Sequence, residues 1–313
     1  MKAALRKMCL STAIAIAPMA LSHSVVADEV SLKTTELASG IYMIQGVGGF
    51  TGGNILLSVG DDGVVMIDDG LPPFLGLLQD SVKKLTDKNI DYLINTHIHG
   101  DHTGNNASYG TGNTRIVAHE NMRHQMVTKG VPGGTGPAPK AALPVITFSD
   151  KMAFHLNGAN AQLLHLAHAH TNGDTAVYFA KENIIHTGDV LFNGLFPYID
   201  LDSGGSVAGY LAAQKTILSM TDDKTKIIPG HGPLATKADL SASINMLEDS
   251  IKRVNKWVKK GLSEDEVVAK NPLKKYHDKW SWGFITTEKM TRTLYKDMTG
   301  QKPKHGHSGV HSH

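Results

Sequence analysis

Cysteine is almost missing from this sequence: Cys9 is the only one in 313 residues. No disulfide can staple the chain, and beyond position 9 thiol catalysis and cysteine ligation are excluded. Aromatic residues are sparse at 6%, and neither sign of charge dominates, with 31 Lys and Arg against 29 Asp and Glu for a formal net charge of +2. So balanced a charge gives no electrostatic reason to expect nucleic acid as a partner. Membrane-length apolar runs are lacking as well. The stretch from Cys9 to Leu21 is largely apolar, but it is shorter than the roughly 20 residues that cross a bilayer.

That stretch follows Lys2, Arg6 and Lys7 and precedes the small residue Ala27, the pattern of an export signal cleaved before Asp28. Residues 1–27 are therefore expected to direct the protein to the periplasm and then be removed, leaving no stable membrane insertion. Cys9 leaves with them, and the loss of three positive and no negative charges lowers the net charge from +2 to −1. What remains, residues 28–300, is long enough to bury a core without staples and is read as one domain that includes its C-terminal helices. Residues 301–313, with His305, His307, His311 and His313 among Gly, Ser and Lys, are expected to form a disordered tail whose imidazoles can bind metal loosely. Oligomeric state is left open.

Short β-rich runs fill the first part of the domain: 40–45, 54–59 and 64–67, separated by turn signals, read as an antiparallel meander. The glycines around Phe50 do not precede a helix and are read as a hairpin rim, not a phosphate loop. A helix is expected over 74–85, with Leu77, Leu78, Val82 and Leu85 on one face, followed by a strand at 91–95. A second round brings a strand at 115–118, a helix at 120–128, and a Gly/Pro-rich loop at 130–144 that is either a flap over a site or a surface excursion. Strands at 146–148, 152–156, 161–167, 176–179, 184–187 and 226–229 and a helix at 207–220 follow. Two strand-rich blocks, each with a helix, fit two sheets packed face to face with helices outside. Apolar residues from Leu240 to Val258 recur at helical spacing, Ser263 with Glu266 reads as a capping box, and 286–298 reads as a further helix. Trp280 and Trp282 are read as core or rim packing.

Polar residues cluster where strands end. Directly after the 91–95 strand comes His97-Ile98-His99-Gly100-Asp101-His102, denser in imidazole and carboxylate than any turn requires. His170, Asp189 and His231 each follow another strand in a Gly-, Asn- or Thr-rich turn. Imidazole nitrogen and carboxylate oxygen suit zinc, and the same donors take iron or manganese. His119, His124, His165, His168 and His186 have no partner in this pattern and are read as non-ligands, with His186 placed to orient a ligand from behind.

The His-x-His-x-Asp-His run, followed in order by His170, Asp189 and His231, resembles the metallo-β-lactamase superfamily, and the similarity extends roughly from Ser39 to Thr236. The resemblance implies an α/β four-layer αβ/βα sandwich and a metal-dependent hydrolase with two zinc ions per chain. It further implies that His97, His99 and His170 hold one ion, that Asp101, His102 and His231 hold the other, and that Asp189 bridges them. Such a pair lowers the pKa of a shared water, and Asp101 is the residue expected to orient it and handle the proton.

Relatives that cleave β-lactams usually carry cysteine or serine at the position of Asp189. Keeping aspartate there, the chain is more similar to general hydrolases of the group, and a lactone, ester or thioester is the expected small-molecule substrate. Periplasmic β-lactam hydrolysis is one alternative, and non-catalytic zinc binding or delivery is another. Phe50, residues 130–144 and the run Phe192 to Tyr198 are the expected walls of an apolar substrate site.

Overall fold

The computed structural model describes residues 30–300, so the expected export signal with its cleavage point, and the histidine-rich tail, lie outside the described residues. Four antiparallel strands open the fold: β1 (Ser31–Ala38), β2 (Ile41–Val47), β3 (Ile55–Gly60) and β4 (Gly63–Ile67). After helix α1 (Leu75–Lys83) the chain returns as β5 (Tyr92–Ile94), parallel to β4. Two short helices, α2 (Gly100–Thr103) and α3 (Asn106–Gly110), precede β6 (Arg115–His119); α4 (Glu120–Thr128) then leads to β7 (Ile146–Phe148). Strands β1 to β7 form one sheet in sequence order.

A second sheet of five strands has the order β12-β11-β10-β9-β8. Its members are β8 (Lys151–Leu156), β9 (Ala159–Leu166), β10 (Asp174–Phe179), β11 (Ile184–His186) and β12 (Lys226–Ile228). Helix α5 (Val207–Ser219) connects β11 to its parallel neighbour β12. The helices α6 (Lys237–Val258), α7 (Glu264–Ala269), α8 (His277–Trp280) and α9 (Thr287–Thr299) complete the described chain.

Alternation along the strands builds the layers, because successive side chains point to opposite faces of a sheet. In β4, Val65 and Ile67 enter the core between the sheets, whereas Val64 and Met66 pack outward against Leu78 and Val82 of α1. In β12, Ile228 faces the shared core and Ile227 packs outward with Ala213 and Ile217 of α5 and Leu240 and Ile244 of α6. The order is thus helix, sheet, sheet, helix, the four-layer αβ/βα sandwich that the sequence predicts. Among the described residues no helix is long and apolar enough to cross a membrane.

Two details, strand β1 and Phe196, depart from the sequence reading. Strand β1 is additional: its segment SLKTTELA is polar and mostly exposed, as befits an edge strand, and so lacks the apolar alternation by which strands are recognised. Phe196, expected in a wall of the substrate site, is fully buried and joins Tyr210, Leu247 and Leu294 in a core under the C-terminal helices. Trp280 enters that same core, while Trp282 sits at the rim of a cleft. The predicted Ser263–Glu266 capping box opens α7, and a second one, Thr236 with Asp239, opens α6.

Candidate metal centre

Four turns converge at one edge of the sandwich, at the carboxyl ends of β5, β9, β11 and β12. The turn after β5 runs into α2 and delivers His97, His99, Asp101 and His102; the others deliver His170, Asp189 and His231. Backbone bonds between the sheets lock them in place, with Thr175 N donating to Thr96 O at 2.8 Å and Asn54 N to Gly230 O at 2.8 Å. Buried Asn54 also donates its side-chain amide to the carbonyls of Pro229 and Gly232, at 2.8 and 2.9 Å, which holds the His231 turn.

All seven residues singled out from the sequence meet here, in two groups. His97, His99, His170 and Asp189 offer donor atoms within 4.8 Å of one another, and so do Asp101, His102 and His231. Asp189 stands between the groups. Its Oδ2 lies 3.6 Å from His97 Nε2 and 3.4 Å from His170 Nε2, while its Oδ1 lies 3.1 Å from His102 Nε2 and 3.3 Å from His231 Nε2. Each carboxylate oxygen thus serves a different group, the geometry of a bridging ligand.

The rear nitrogens of the imidazoles are tied down, which determines the nitrogen that faces the centre. His99 donates through Nε2 to Asp200 Oδ2 at 2.9 Å, so Nδ1 faces inward; His170 donates through Nδ1 to Tyr198 O at 2.7 Å, so Nε2 does. Asp68, buried in the Asp-Asp-Gly turn after β4, governs two more. Its Oδ2 accepts from His102 Nδ1 and from Thr96 Oγ1, both at 2.7 Å, and its Oδ1 accepts from Thr96 N at 2.8 Å. With its proton committed to Asp68, the Thr96 hydroxyl accepts from His97 Nδ1 at 3.0 Å. In the neutral form of each ring, Nε2 of both His97 and His102 is a lone pair aimed at the centre.

These donors fit cations. His97 Nε2 and Asp189 Oδ1 are buried without a hydrogen-bond partner, and such orphans are rare unless an ion or water satisfies them. His99 Nδ1 and His170 Nε2 point lone pairs at each other across 2.7 Å, an arrangement that a shared cation relieves.

Electrostatics separates the two groups. Burial, aided by the positive neighbour His102, holds His97 well below its usual range, and burial brings His170 down to about 4 despite Asp189, so both keep the neutral form that ligates. Burial also presses on the second group, but carboxylates prevail: Asp189, Asp101 and Asp68 raise His102, and Asp189 with Asp101 brings His231 up to about 9. Burial likewise opposes ionisation of Asp101, yet His102 and His231 bring it down to about 2. Asp189 is held low against burial by His231, His102 and His97.

Backbone crowding makes two glycines obligatory. A Cβ on Gly53 would run into the His102 ring, and one on Gly230 into Asp189 Oδ1. The remaining histidines are not donors to the centre. His119 caps α4 and stacks on His165 with ring centroids 3.5 Å apart, while His124 and His168 are exposed. His186 donates to Asn54 O and accepts from Gly188 N, steadying the turn that carries Asp189. Asp68, Asp200 and Asn54 were not anticipated, because nothing in their local sequence distinguishes them from ordinary turn residues.

Over the centre lies a cleft of about 1120 Å³. Asp101, the most exposed of the seven, His99 and His231 reach its floor. Its walls are Phe50, the loop around Val131 and Pro137, Phe192, Tyr198, and the segment 282–284; among the described residues no lysine or arginine lines it. The Gly/Pro-rich loop therefore forms a wall of the site.

A family profile described as the metallo-beta-lactamase superfamily matches residues 48–231, more than half of the chain. The chain belongs to that superfamily. Among curated proteins it is 28% identical to the 2,4-dinitroanisole O-demethylase subunit alpha of a Nocardioides species, over 55% of this chain and 50% of that protein. It is 22% identical to a linear primary-alkylsulfatase of a Pseudomonas species (61% and 44% covered) and 29% identical to a hydroxyacylglutathione hydrolase of Pelagibacter ubique (48% and 56% covered). The chain spans about half the length of these curated relatives. Among solved structures, a metallo-beta-lactamase from Pontibacter korlensis aligns over its full length with 70% of this chain, at a TM-score of 0.58 and 17% identity. A sec-alkylsulfatase from a Pseudomonas species aligns over 87% of this chain and 51% of its own, at a TM-score of 0.64 and 17% identity. At such identity the likeness concerns the fold. The bridging position of Asp189 and the two donor groups are those of a catalytic metallo-hydrolase of the superfamily.

Proposed function

We propose that the protein is a dinuclear zinc hydrolase that cleaves an uncharged lactone, ester or thioester carrying a bulky apolar group. The observation that carries this reading is the union of two donor groups on the floor of a cleft whose walls are largely apolar and, among the described residues, free of lysine and arginine. Zinc suits the nitrogen and carboxylate donors: His97, His99 and His170 would hold one ion, Asp101, His102 and His231 the other, and Asp189 would serve both. When bound, the metal pair supplies Lewis acidity and lowers the pKa of water.

The chain's own residues supply the rest. Asp101, ionised and facing the cleft, accepts a hydrogen bond from the attacking water, orients it, and carries the proton toward the leaving group. Asp68 and Asp200 keep their imidazoles in the ligating tautomer. The apolar walls exclude bulk water, which strengthens electrostatic interactions at the floor.

Two of the relatives, the alkylsulfatase and the hydroxyacylglutathione hydrolase, bear the names of enzymes that cleave anionic substrates. Among the described residues an alkyl sulfate or a glutathione thioester would find no lysine or arginine on these walls to meet its charge. Neutral esters and lactones incur no such cost. A zinc-loaded preparation assayed against neutral aryl and alkyl esters, lactones, a glutathione thioester, an alkyl sulfate and a chromogenic cephalosporin tests the reading. Highest kcat/KM is expected on neutral esters or lactones; preference for the sulfate or the cephalosporin would overturn the substrate assignment. Tight binding of zinc with no turnover of any of them would overturn the enzymatic reading in favour of zinc storage or delivery.

A further inference from the structure

The walls of the cleft are not equivalent. On one side a run of aromatic rings starts at one donor group and ends at the other. His231 stacks on Phe192 with centroids 5.0 Å apart at 24°; Phe192 meets Trp282 at 6.0 Å, Trp282 meets Phe284 at 5.6 Å, Phe284 meets Tyr198 at 5.3 Å, and Tyr198 meets His99 at 5.5 Å. Phe50 stacks on the His231 ring at 5.6 Å. On the opposite side the loop around Val131 and Pro137 presents no aromatic ring, only small, aliphatic and prolyl residues and Thr135.

Two of the rings come from outside the segment that matches the superfamily. Trp282 and Phe284 lie between α8 and α9, beyond residue 231. Their segment is held to the body by two hydrogen bonds, Trp282 Nε1 to Phe196 O at 2.9 Å and Phe196 N to Trp280 O at 2.7 Å, while Trp282 N to Ile285 O at 3.2 Å closes the segment on itself. The C-terminal helices thus bring a substrate wall to the metal centre.

Phe284 is 47% exposed and Phe50 57%, although both line a cleft. Rings in this position leave apolar faces in water, and a guest that covers them recovers the hydrophobic contribution of that area. A flat aromatic guest gains further, because ring pairs attract in edge-to-face and offset-stacked arrangements beyond their area burial. Among the described residues no lysine or arginine lines the walls, so a charge carried on the part of the guest that meets them would be desolvated without a partner.

Building on the hydrolase reading above, we propose that this arc, and Trp282 and Phe284 in particular, selects substrates whose apolar group is an uncharged aromatic ring system over saturated groups of equal size.

The test uses 2-acetylnaphthalene and its fully saturated counterpart 2-acetyldecalin, ketones that cannot be hydrolysed, titrated calorimetrically into the zinc-loaded protein. The parent is expected to bind the aromatic ketone on the order of 10-fold more tightly, and Phe284→Ala and Trp282→Ala to reduce that preference to roughly 2-fold or less. Phe284→Tyr, which keeps a ring, should retain it. Phe284→Leu keeps apolar bulk without a ring and should lose it, with near-ultraviolet circular dichroism reporting that the variant is folded. Val145→Ala, at an exposed site outside the cleft, should leave it unchanged. Equal affinity of the parent for the two ketones, or a preference that survives both Phe284→Ala and Phe284→Leu, overturns the proposal. Aromatic preference in binding together with no turnover of any ester would support the arc and remove the hydrolase reading, so the two fail separately.

Discussion

Replacing Asp68 by Asn is the most searching perturbation of the metal centre, because Asp68 touches no site for an ion yet sets the protonation of one ligand in each donor group. Asp68 has a φ of 62°, a left-handed conformation that Asn tolerates, so the backbone can stay where it is. The amide has one acceptor where the carboxylate had two. If its oxygen continues to accept from Thr96 N at the 2.8 Å position, its NH2 replaces the oxygen that received protons from Thr96 Oγ1 and His102 Nδ1. Both partners must then accept. His102 moves its proton to Nε2, and the Thr96 hydroxyl, now free to donate, turns toward His97 Nδ1, whose proton also moves to Nε2. The two nitrogens aimed at the centre lose their lone pairs.

The opposite amide orientation preserves those tautomers but sets NH2 against the Thr96 N–H in a fully buried place, a misfit of about 1–3 kcal/mol. Metal affinity should fall by the cheaper of the two routes, about 1.4–2.7 kcal/mol, or 10- to 100-fold. Competition with a zinc chelator, read by mass spectrometry of the native protein, measures that affinity directly. Turnover at saturating zinc should recover in part, since excess metal restores occupancy. An Asp68→Asn protein with parental zinc affinity would refute the tautomer argument, even if its melting temperature had dropped.

Further outcomes follow from other contacts. Asp189→Ala removes the ligand that faces both donor groups, and at limiting zinc the metal content should drop from near two ions per chain to near one, with turnover reduced by at least about 100-fold; two ions and normal kcat/KM would defeat the bridging assignment. Gly230→Ala places a methyl group against Asp189 Oδ1 and within 2.9 Å of Asp189 N, so a loss of about 1–3 kcal/mol in stability is expected together with weaker zinc binding; a variant that melts with the parent would show that the turn yields freely. Far from the site, the Asp249 carboxyl is held below its usual range by Lys275 first, then by Arg253 and Tyr276, at 2.8, 2.6 and 2.7 Å. Because its folded pKa is depressed, its contribution is present above the unfolded value near 4 and is lost as pH falls through the folded one. Asp249→Asn should therefore be less stable than the parent at pH 7 by up to about 1 kcal/mol, as an exposed network allows, with the gap closing in acid; a constant gap in denaturant titrations from pH 7 to pH 3 would contradict this.

The sequence by itself determined the layers and the ligands. Strand alternation is a local pattern of period two, and in β4 it sorts Val65 and Ile67 onto one face and Val64 and Met66 onto the other, although with both faces apolar only packing decides which meets the partner sheet and which a helix. His97 to His102 lie within six positions, and a crowd of imidazoles and carboxylates after a strand has few other physical uses. What the sequence did not reveal are residues that act through distant partners. Asp68 meets His102 34 positions away, Asp200 meets His99 across 101, and Asn54 grips Pro229 across 175. The ring wall at Trp282 and Phe284 likewise reaches the metal centre only because the C-terminal helices dock against the body through Phe196 and Trp280. Such pairings carry no local period or spacing, because they exist only once packing has brought the two ends together. The sequence thus contained the donor atoms fit to hold metal, while tertiary structure decided which nitrogen each imidazole presents and what shape of cleft lies over it.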